Sequence, residues 1–471
     1  MFIDTDPMFT LRPHQNDMLD ALVGSTRGII QCPTGGGKTY TFITNSRRAM
    51  FPGKVTVVVA PQLLLSAQIF GEFDTHLRDV NFMWRQVSSE GKAYQRERSG
   101  LKFRVVPPLF PTTVVEEIAD TYRIAVKAQK PLILFSTYAS LGRIVSAGIP
   151  VEVVYYDEAH NATASDNFQA VSQLSAIAKH NYFFTATPRY SQGYATDTSG
   201  MSNTEVYGEP ICKVDFNSLV EQGIIVKPKL HLIKSTADTT NQSEADVNDK
   251  TIREVVTKYE ERGEPNKILF NTQGTSAIKD ITSNPVLIGW LRDKGYNVLS
   301  IDSSNQGYIN GESGISKDKF IKRLNEIGND PNADMVVFHY SMLGEGIDVK
   351  AFNGVIFFRN SMSDVFATQS IGRVIRKSPG KEYGCVTVVE HASDTGEAKS
   401  LIQHIVKSLI EVGVPPESFI SDEDGRGDDP EVVEELPAEY ITAAKDVAIQ
   451  FEHSNMLAKL LGMDDDDMFA F

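Results

Sequence analysis

Only three cysteines occur in 471 residues, and Cys32, Cys212 and Cys385 stand too far apart for a paired metal-ligand spacing or a disulfide framework. No stretch approaches the ~18 consecutive apolar residues of a membrane span, and residues 1–9 lack the basic and apolar regions of a secretory signal. A reduced, cytoplasmic setting is the expectation. Positive charge is also short: 46 Lys and Arg face 61 Asp and Glu, a net of −15. That argues against a protein coated in basic surface. The deficit is concentrated, since residues 422–471 hold 15 acids and 3 bases, a net of −12, leaving −3 for the other 421 residues. A near-neutral body can carry a local basic groove, and it is local potential that attracts phosphates.

What is present is an alternation of short apolar runs with amphipathic segments, the pattern of an α/β protein whose parallel sheets are covered by helices. Strands are expected at 28–31, 55–60, 132–136, 151–156 and 182–185, and a second series at 267–270, 298–301, 335–339, 355–358 and 386–389. Gly and Pro interrupt the pattern at 223–228, which places domains at 1–225 and 226–420. Residues 235–249 and 303–318 read as polar surface loops. Residues 421–471 read as a Gly/Asp-rich linker, a helix over 437–461 docked on the second domain through Tyr440, Ala444, Val447, Ala448 and Phe451, and an acidic tail.

Residues 32–39 read Cys-Pro-Thr-Gly-Gly-Gly-Lys-Thr after an expected strand. Pro33, Thr34, Gly35, Gly36 and Gly37 form a loop whose N–H groups can face phosphate oxygens. Lys38 can reach the β- and γ-phosphates and the Thr39 hydroxyl can ligate magnesium, at the positive end of a helix dipole. Cys32 stands where the general pattern has its first glycine. Residues 157–160, Asp-Glu-Ala-His, close another apolar strand. Asp157 is placed to hold magnesium and Glu158 to deprotonate an attacking water. Together the two motifs predict binding and hydrolysis of magnesium-ATP.

With these motifs in this order the chain resembles a superfamily 2 helicase over roughly residues 9–377, and its compact length is similar to phage recombination helicases of the UvsW type. The resemblance implies two tandem RecA-like domains with a C-terminal helical extension. It assigns Phe9, Arg12 and Gln15 to adenine, and Gln62, Gln68, Thr137, Tyr138 and Asn271 to the nucleic-acid strand. His160, Thr185 and Thr187 would couple hydrolysis to movement. Gly346 and Asp348, with Gln369, Arg373 and Arg376, would close on the nucleotide. Arg373 and Arg376, three apart, are expected on one helical face with both guanidiniums toward the γ-phosphate. The family unwinds branched DNA and moves junctions, so the partner implied is branched or forked DNA, in recombination and repair, in the host cytoplasm if the chain is phage-encoded. An RNA helicase, a duplex-translocating subunit of a restriction-like system and a non-motor clamp or annealing module are the alternatives.

Two segments stay open. Residues 78–104 hold seven bases (Arg78, Arg85, Lys92, Arg96, Arg98, Lys102, Arg104) against three acids, with Phe82, Trp84, Tyr94 and Phe103 interleaved. They suit either DNA contact near a strand-separation point, led by Arg96 and Arg98, or an ordinary subdomain with a solvated face. The ending Asp464-Asp465-Asp466-Asp467-Met468-Phe469-Ala470-Phe471 suits docking on a recombination or replication partner, occupation of the chain's own basic groove, or simple solvation.

Overall fold

The computed structural model describes the chain except residues 1–10, 62, 90–110, 191–198, 264, 302–305, 341–350, 359–363, 420–431, 434–435 and 462–471, and describes only the backbone at 63–65, 67–68, 317–318, 364–366 and 454–461. It divides into two compact units, residues 1–215 with 453–471, and residues 216–452.

The first unit is a RecA-like α/β layer. Its strands are β1 (Arg27–Gln31), β2 (Val55–Ala60), β3 (Met83–Val87), β4 (Leu132–Thr137), β5 (Val153–Tyr156), β6 (His180–Thr185) and β7 (Pro210–Lys213), parallel throughout in the order β3-β4-β2-β5-β6-β1-β7. β2, β4 and β5 are buried along their whole length, which is why they read as unbroken apolar runs. Helices α1 (Pro13–Gly24), α2 (Lys38–Ser46), α3 (Leu63–His76) and α4 (Val115–Lys127) flank the sheet. The core of this unit joins Val57, Val59, Leu134, Val154, Tyr156 and Phe183. All-parallel order puts the carboxyl ends of β4, β2, β5, β6 and β1 side by side on one edge, where ligands of open α/β sheets bind.

β3 falls within the basic segment 78–104 and decides part of its meaning. Phe82 and Trp84 are buried, with the Trp84 ring tilted against Phe70 at a centroid distance of 4.0 Å. Arg85 is buried too, ion-paired with Glu117 and donating to the Thr121 hydroxyl at 2.7 Å. These three side chains are packed into the sheet edge. Arg96 and Arg98 lie outside the described residues.

The second unit carries β8 (Lys227–Ser235), β9 (Lys267–Asn271), β10 (Tyr296–Ile301), β11 (Gln306–Ile309), β12 (Glu312–Ser316), β13 (Asp334–His339), β14 (Gly354–Phe357) and β15 (Tyr383–His391), in the order β12-β11-β10-β13-β9-β14-β15-β8. It is parallel from β10 to β8, but β11 and β12 pair antiparallel. The loop expected over 303–318 is therefore a hairpin. Its tip is Asn310-Gly311, both at positive φ (50° and 103°), a pair that favours tight hairpin turns. The loop expected over 235–249 is also shorter. β8 runs to Ser235, and a helix, Glu244–Arg262, opens with the Ser243 hydroxyl accepting from Asp246 N–H. In the helix Ala438–Leu461, Tyr440, Ala444 and Ala448 are buried, and Val447 and Phe451 are half-buried.

The helix Asp364–Val374 stops before Arg376, whose backbone makes an antiparallel bridge to Ile225. Arg373 and Arg376 therefore do not share a helical face, contrary to expectation. Buried Lys381 ties down the segment that follows the helix: its amine donates to the carbonyls of Arg376 (2.7 Å) and Phe352 (2.6 Å). Burial, aided by Arg376 and Lys377, brings the Lys381 pKa down to about 7. An unfolded lysine stays protonated to about pH 10, so from pH 7 to 10 the unfolded chain binds the extra proton and native stability rises with pH. Urea midpoints measured at pH 7.5 and 9.5 are expected to rise more for wild type than for Lys381→Met; equal slopes would contradict this assignment.

Candidate functional site

The site is built at the carboxyl ends of β1, β5 and β6. β1 hands over to the loop with Cys32 N–H donating to Thr185 O at 2.9 Å, and the loop ends where Lys38 opens α2. Gly35 and Gly37 sit at φ 86° and 84°, a region that strains any other residue. A Cβ on Gly37 would lie 2.2 Å from Gln15 Nε2, so a side chain there would displace the end of Gln15. The Cys32 thiol is wholly buried, and burial pushes its pKa up to about 12. The non-glycine at this position is thus a core residue and leaves the cradle to Gly35–Gly37.

Lys38 is buried, and its ammonium meets Glu158 Oε1 at 2.9 Å. Burial works against both charges, but the pair outweighs it: the lysine is held above its usual range and the glutamate below. Glu158 sits in the left-handed region (φ 45°, ψ 56°), one of three described non-glycine residues with positive φ. Strain at a polar residue facing a lysine is the kind that functional sites store.

Asp157 continues β5, its N–H donating to Val59 O at 2.8 Å and its carbonyl accepting from the Tyr138 hydroxyl at 2.9 Å. Its side chain is buried, and Oδ1 has no hydrogen-bond partner. Burial and then the adjacent Glu158 push its carboxyl up to about 7. A buried carboxylate oxygen without a protein partner, one strand-end from a lysine and a threonine hydroxyl, fits a divalent cation. Thr39 is half-buried at the second position of α2. Among the described residues no group of three or more His, Cys, Asp or Glu could hold a metal by itself.

His160 joins the acids to β6. Its Nδ1 is 3.1 Å from Thr185 Oγ1 and 3.7 Å from Glu158 Oε2. The Thr185 hydroxyl donates to Thr187 O and accepts from Thr187 N–H. With its proton spent on Thr187 O, it accepts from His160 Nδ1–H, while His160 Nε2 accepts from Asn161 Nδ2 at 3.2 Å. The three residues read as a coupling set are thereby one connected network.

The remaining expected residues are spread over both units. Gln15 caps α1, its Oε1 accepting from Arg12 N–H at 2.9 Å and its Nε2 donating to Gly37 O at 3.3 Å. Tyr138, expected on the nucleic-acid strand, is 3% exposed and its hydroxyl donates to Asp157 O. Thr137 lies beside it, donating to Ser140 Oγ at 3.2 Å. Asn271 ends β9 with its amide fully buried and neither amide atom hydrogen-bonded. Gln369 is half-buried on the Asp364–Val374 helix, with Arg373 buried one turn on. Gln68 lies on α3, where only the backbone is described; Phe9, Gln62, Gly346 and Asp348 lie outside the described residues. His14 was not foreseen, although it adjoins Gln15 and its Nε2 lies 2.7 Å from Gly36 O.

Residues 8–190 match the family described as "Type III restriction enzyme, res subunit". No curated protein matches the chain in sequence. Among solved structures the chain is similar to the ATP-dependent Type ISP restriction-modification enzyme LlaBIII bound to DNA, with TM-score 0.67 and 17% identity over 95% of this chain and 33% of that one. A nuclease-deletion mutant of the Type ISP enzyme LlaGI, in complex with a DNA substrate mimic, gives 0.62 and 17% over 96% and 31%. The Mycobacterium smegmatis helicase Lhr, bound to ssDNA and AMP-PNP, gives 0.50 and 16% over 87% and 50%. The chain spans about a third of the length of the two restriction enzymes. At these identities the likeness to solved structures shows a shared fold.

Proposed function

We propose that the chain is a motor that hydrolyses magnesium-ATP to move along DNA. The observation that carries this reading is the Lys38–Glu158 ion pair beside Asp157, whose Oδ1 has no partner, at adjoining strand ends. Thr39 and Asp157 would hold the magnesium ion, which when bound draws charge from the phosphate oxygens. Lys38 exchanges Glu158 for the β- and γ-phosphate oxygens. The released Glu158 carboxylate takes a proton from the attacking water as the water's oxygen bonds to the γ-phosphorus and the β–γ bridge breaks. His160, Thr185 and Thr187 register the change at β6. Gln15 retains one amide hydrogen and one lone pair for the adenine edge, and Phe9 and Arg12 complete the base site. The reading gives Gln369, Arg373 and Arg376 the charge that develops on the leaving phosphate, and Gly346 and Asp348 the closing loop. Gln62, Gln68, Thr137, Asn271, Arg96 and Arg98 remain the nucleic-acid contacts.

The resemblance of the motifs favours branched or forked DNA as substrate, in recombination or repair. The family match over residues 8–190 favours a second reading, a duplex-translocating motor subunit of a restriction-like system. Recruitment of recombination or replication proteins by the 464–471 tail belongs to the first. ATP turnover by the full chain, measured without nucleic acid and with RNA, plain duplex, fork and Holliday junction, tests the motor. Stimulation by DNA of about tenfold or more is expected, with RNA well below it. No stimulation by any DNA would end the motor reading. Strand separation on forks supports the first substrate; displacement of a triplex strand from intact duplex, without unwinding, supports the second.

A further inference from the structure

We infer that His14 is a positioning residue that sets the phosphate loop from behind by holding the Gly36 carbonyl. The inference rests on the proposal that this loop binds nucleotide. A carbonyl oxygen only accepts, so at 2.7 Å it is His14 Nε2 that carries the proton and donates to Gly36 O. The two groups are 22 residues apart in sequence, and the imidazole is 6% exposed. The other ring nitrogen, Nδ1, is buried without a hydrogen-bond partner. Leaving a buried polar atom unpaired costs stability. An apolar ring would fill the same space without that cost, so packing alone does not account for a histidine here.

The loop geometry supplies the reason. Gly36 N–H is already spent on Pro33 O at 3.1 Å, closing the turn. Gly37 N–H and Lys38 N–H are the next two groups along the cradle. In a trans peptide the C=O and the following N–H point in opposite directions. Holding Gly36 O toward α1 therefore turns Gly37 N–H to the other side of the loop, where the phosphate is proposed to lie. Gln15 repeats the device one residue on, its Nε2 donating to Gly37 O and fixing the plane that ends in Lys38 N–H. Consecutive residues of α1 thus grip consecutive carbonyls of the loop. Gly37, at φ 84°, lets the loop turn there without strain, and a Cβ on it would push the end of Gln15 off its carbonyl.

The test compares His14→Phe, which keeps a ring and removes the donor, with His14→Gln, whose Nε2 can reach the same carbonyl. Binding of a fluorescent ATP analogue (mant-ATP) with Mg²⁺, kcat and KM for ATP, and the melting temperature are measured on the full chain. His14→Phe is expected to weaken binding and raise KM about tenfold, ~1.4 kcal/mol, with kcat at saturation within about twofold of wild type and no loss of melting temperature. His14→Gln is expected to restore affinity to within about threefold. A His14→Phe chain that binds as wild type does, or a His14→Gln chain no better than His14→Phe, overturns the inference while leaving the nucleotide reading intact. If His14→Phe does not fold, His14→Met is read in its place against the same two outcomes. A wild-type chain that binds no mant-ATP overturns the nucleotide reading, and this inference with it.

Discussion

Lys38→Ala and Glu158→Gln are expected to fail in opposite ways. Without Lys38 the phosphates lose their cation, and kcat/KM should fall by at least about 10²- to 10³-fold, with nucleotide affinity falling too. In Glu158→Gln the site keeps the loop, the lysine and Asp157 but loses the acid. ATP affinity should hold, while kcat drops about 10²- to 10⁴-fold for want of a base. The apo geometry adds a second contrast. Lys38 and Glu158 are paired at 2.9 Å, with side-chain exposures of 8% and 24%. Removing the lysine leaves two neighbouring acids, with His160 3.7 Å from Glu158. A fully buried pair broken this way costs about 3–5 kcal/mol; with a quarter of Glu158 still in contact with solvent, about 1–2 kcal/mol is the better figure. Glu158→Gln keeps an amide oxygen for the lysine, removes one of two adjacent acids, and should leave stability near wild type. The measurements are mant-ATP affinity, DNA-stimulated turnover and urea midpoints for each variant. Turnover surviving in Glu158→Gln would remove the assigned base, and affinity surviving in Lys38→Ala would remove the assigned phosphate ligand.

The central strands of both sheets were legible because β2, β4, β5, β9 and β13 are buried from end to end or nearly so, and such strands are continuous in β-branched and aromatic residues. The edges were not. β3 is interrupted by Arg85 and Gln86, whose burial depends on Glu117 and Ser66 across space. β8 alternates buried and half-buried residues and contains a proline, and β7 is largely exposed. β11 and β12 are polar apart from their inward residues, although Asn310-Gly311 was a readable hairpin signal. In the site, the loop and the acids could be read because phosphate chemistry dictates their types and order. The inward turn of Tyr138, the departure of Arg376 from its helix and the grip of His14 could not be read. Each goes with a hydrogen bond to a backbone carbonyl distant in sequence or set by the surrounding fold, and no local pattern marks it.

The aromatic layer beneath Asp157 should be as sensitive as the site itself. Phe183 is fully buried on β6, stacked on Tyr156 at 4.3 Å with the rings 3° from parallel, and meets Tyr207 edge-on at 4.9 Å. Tyr156 is the residue before Asp157, and Phe183 is two before Thr185, so one ring pair underlies both strand ends of the site. Phe183→Ala removes a ring from a close-packed layer and is expected to destabilise the first unit by about 3–5 kcal/mol. That is a large part of the ~5–15 kcal/mol that holds a typical domain. Val286→Ala, at 70% exposure in the second unit, should cost under about 0.5 kcal/mol. The two tryptophans allow each unit to be followed separately, since Trp84 lies in the first and Trp290 in the second. In a Trp290→Phe background the Trp84 transition in urea should move to lower midpoint with Phe183→Ala; in a Trp84→Phe background the Trp290 transition should stay in place. Where Phe183→Ala remains folded, turnover should fall further than affinity, because the gap lets Tyr156, and with it the Asp157 carboxylate, shift. An unchanged Trp84 transition would show that the stacked pair contributes little, and an unchanged kcat would show that Asp157 is held by its backbone bonds to Val59 and Tyr138 alone.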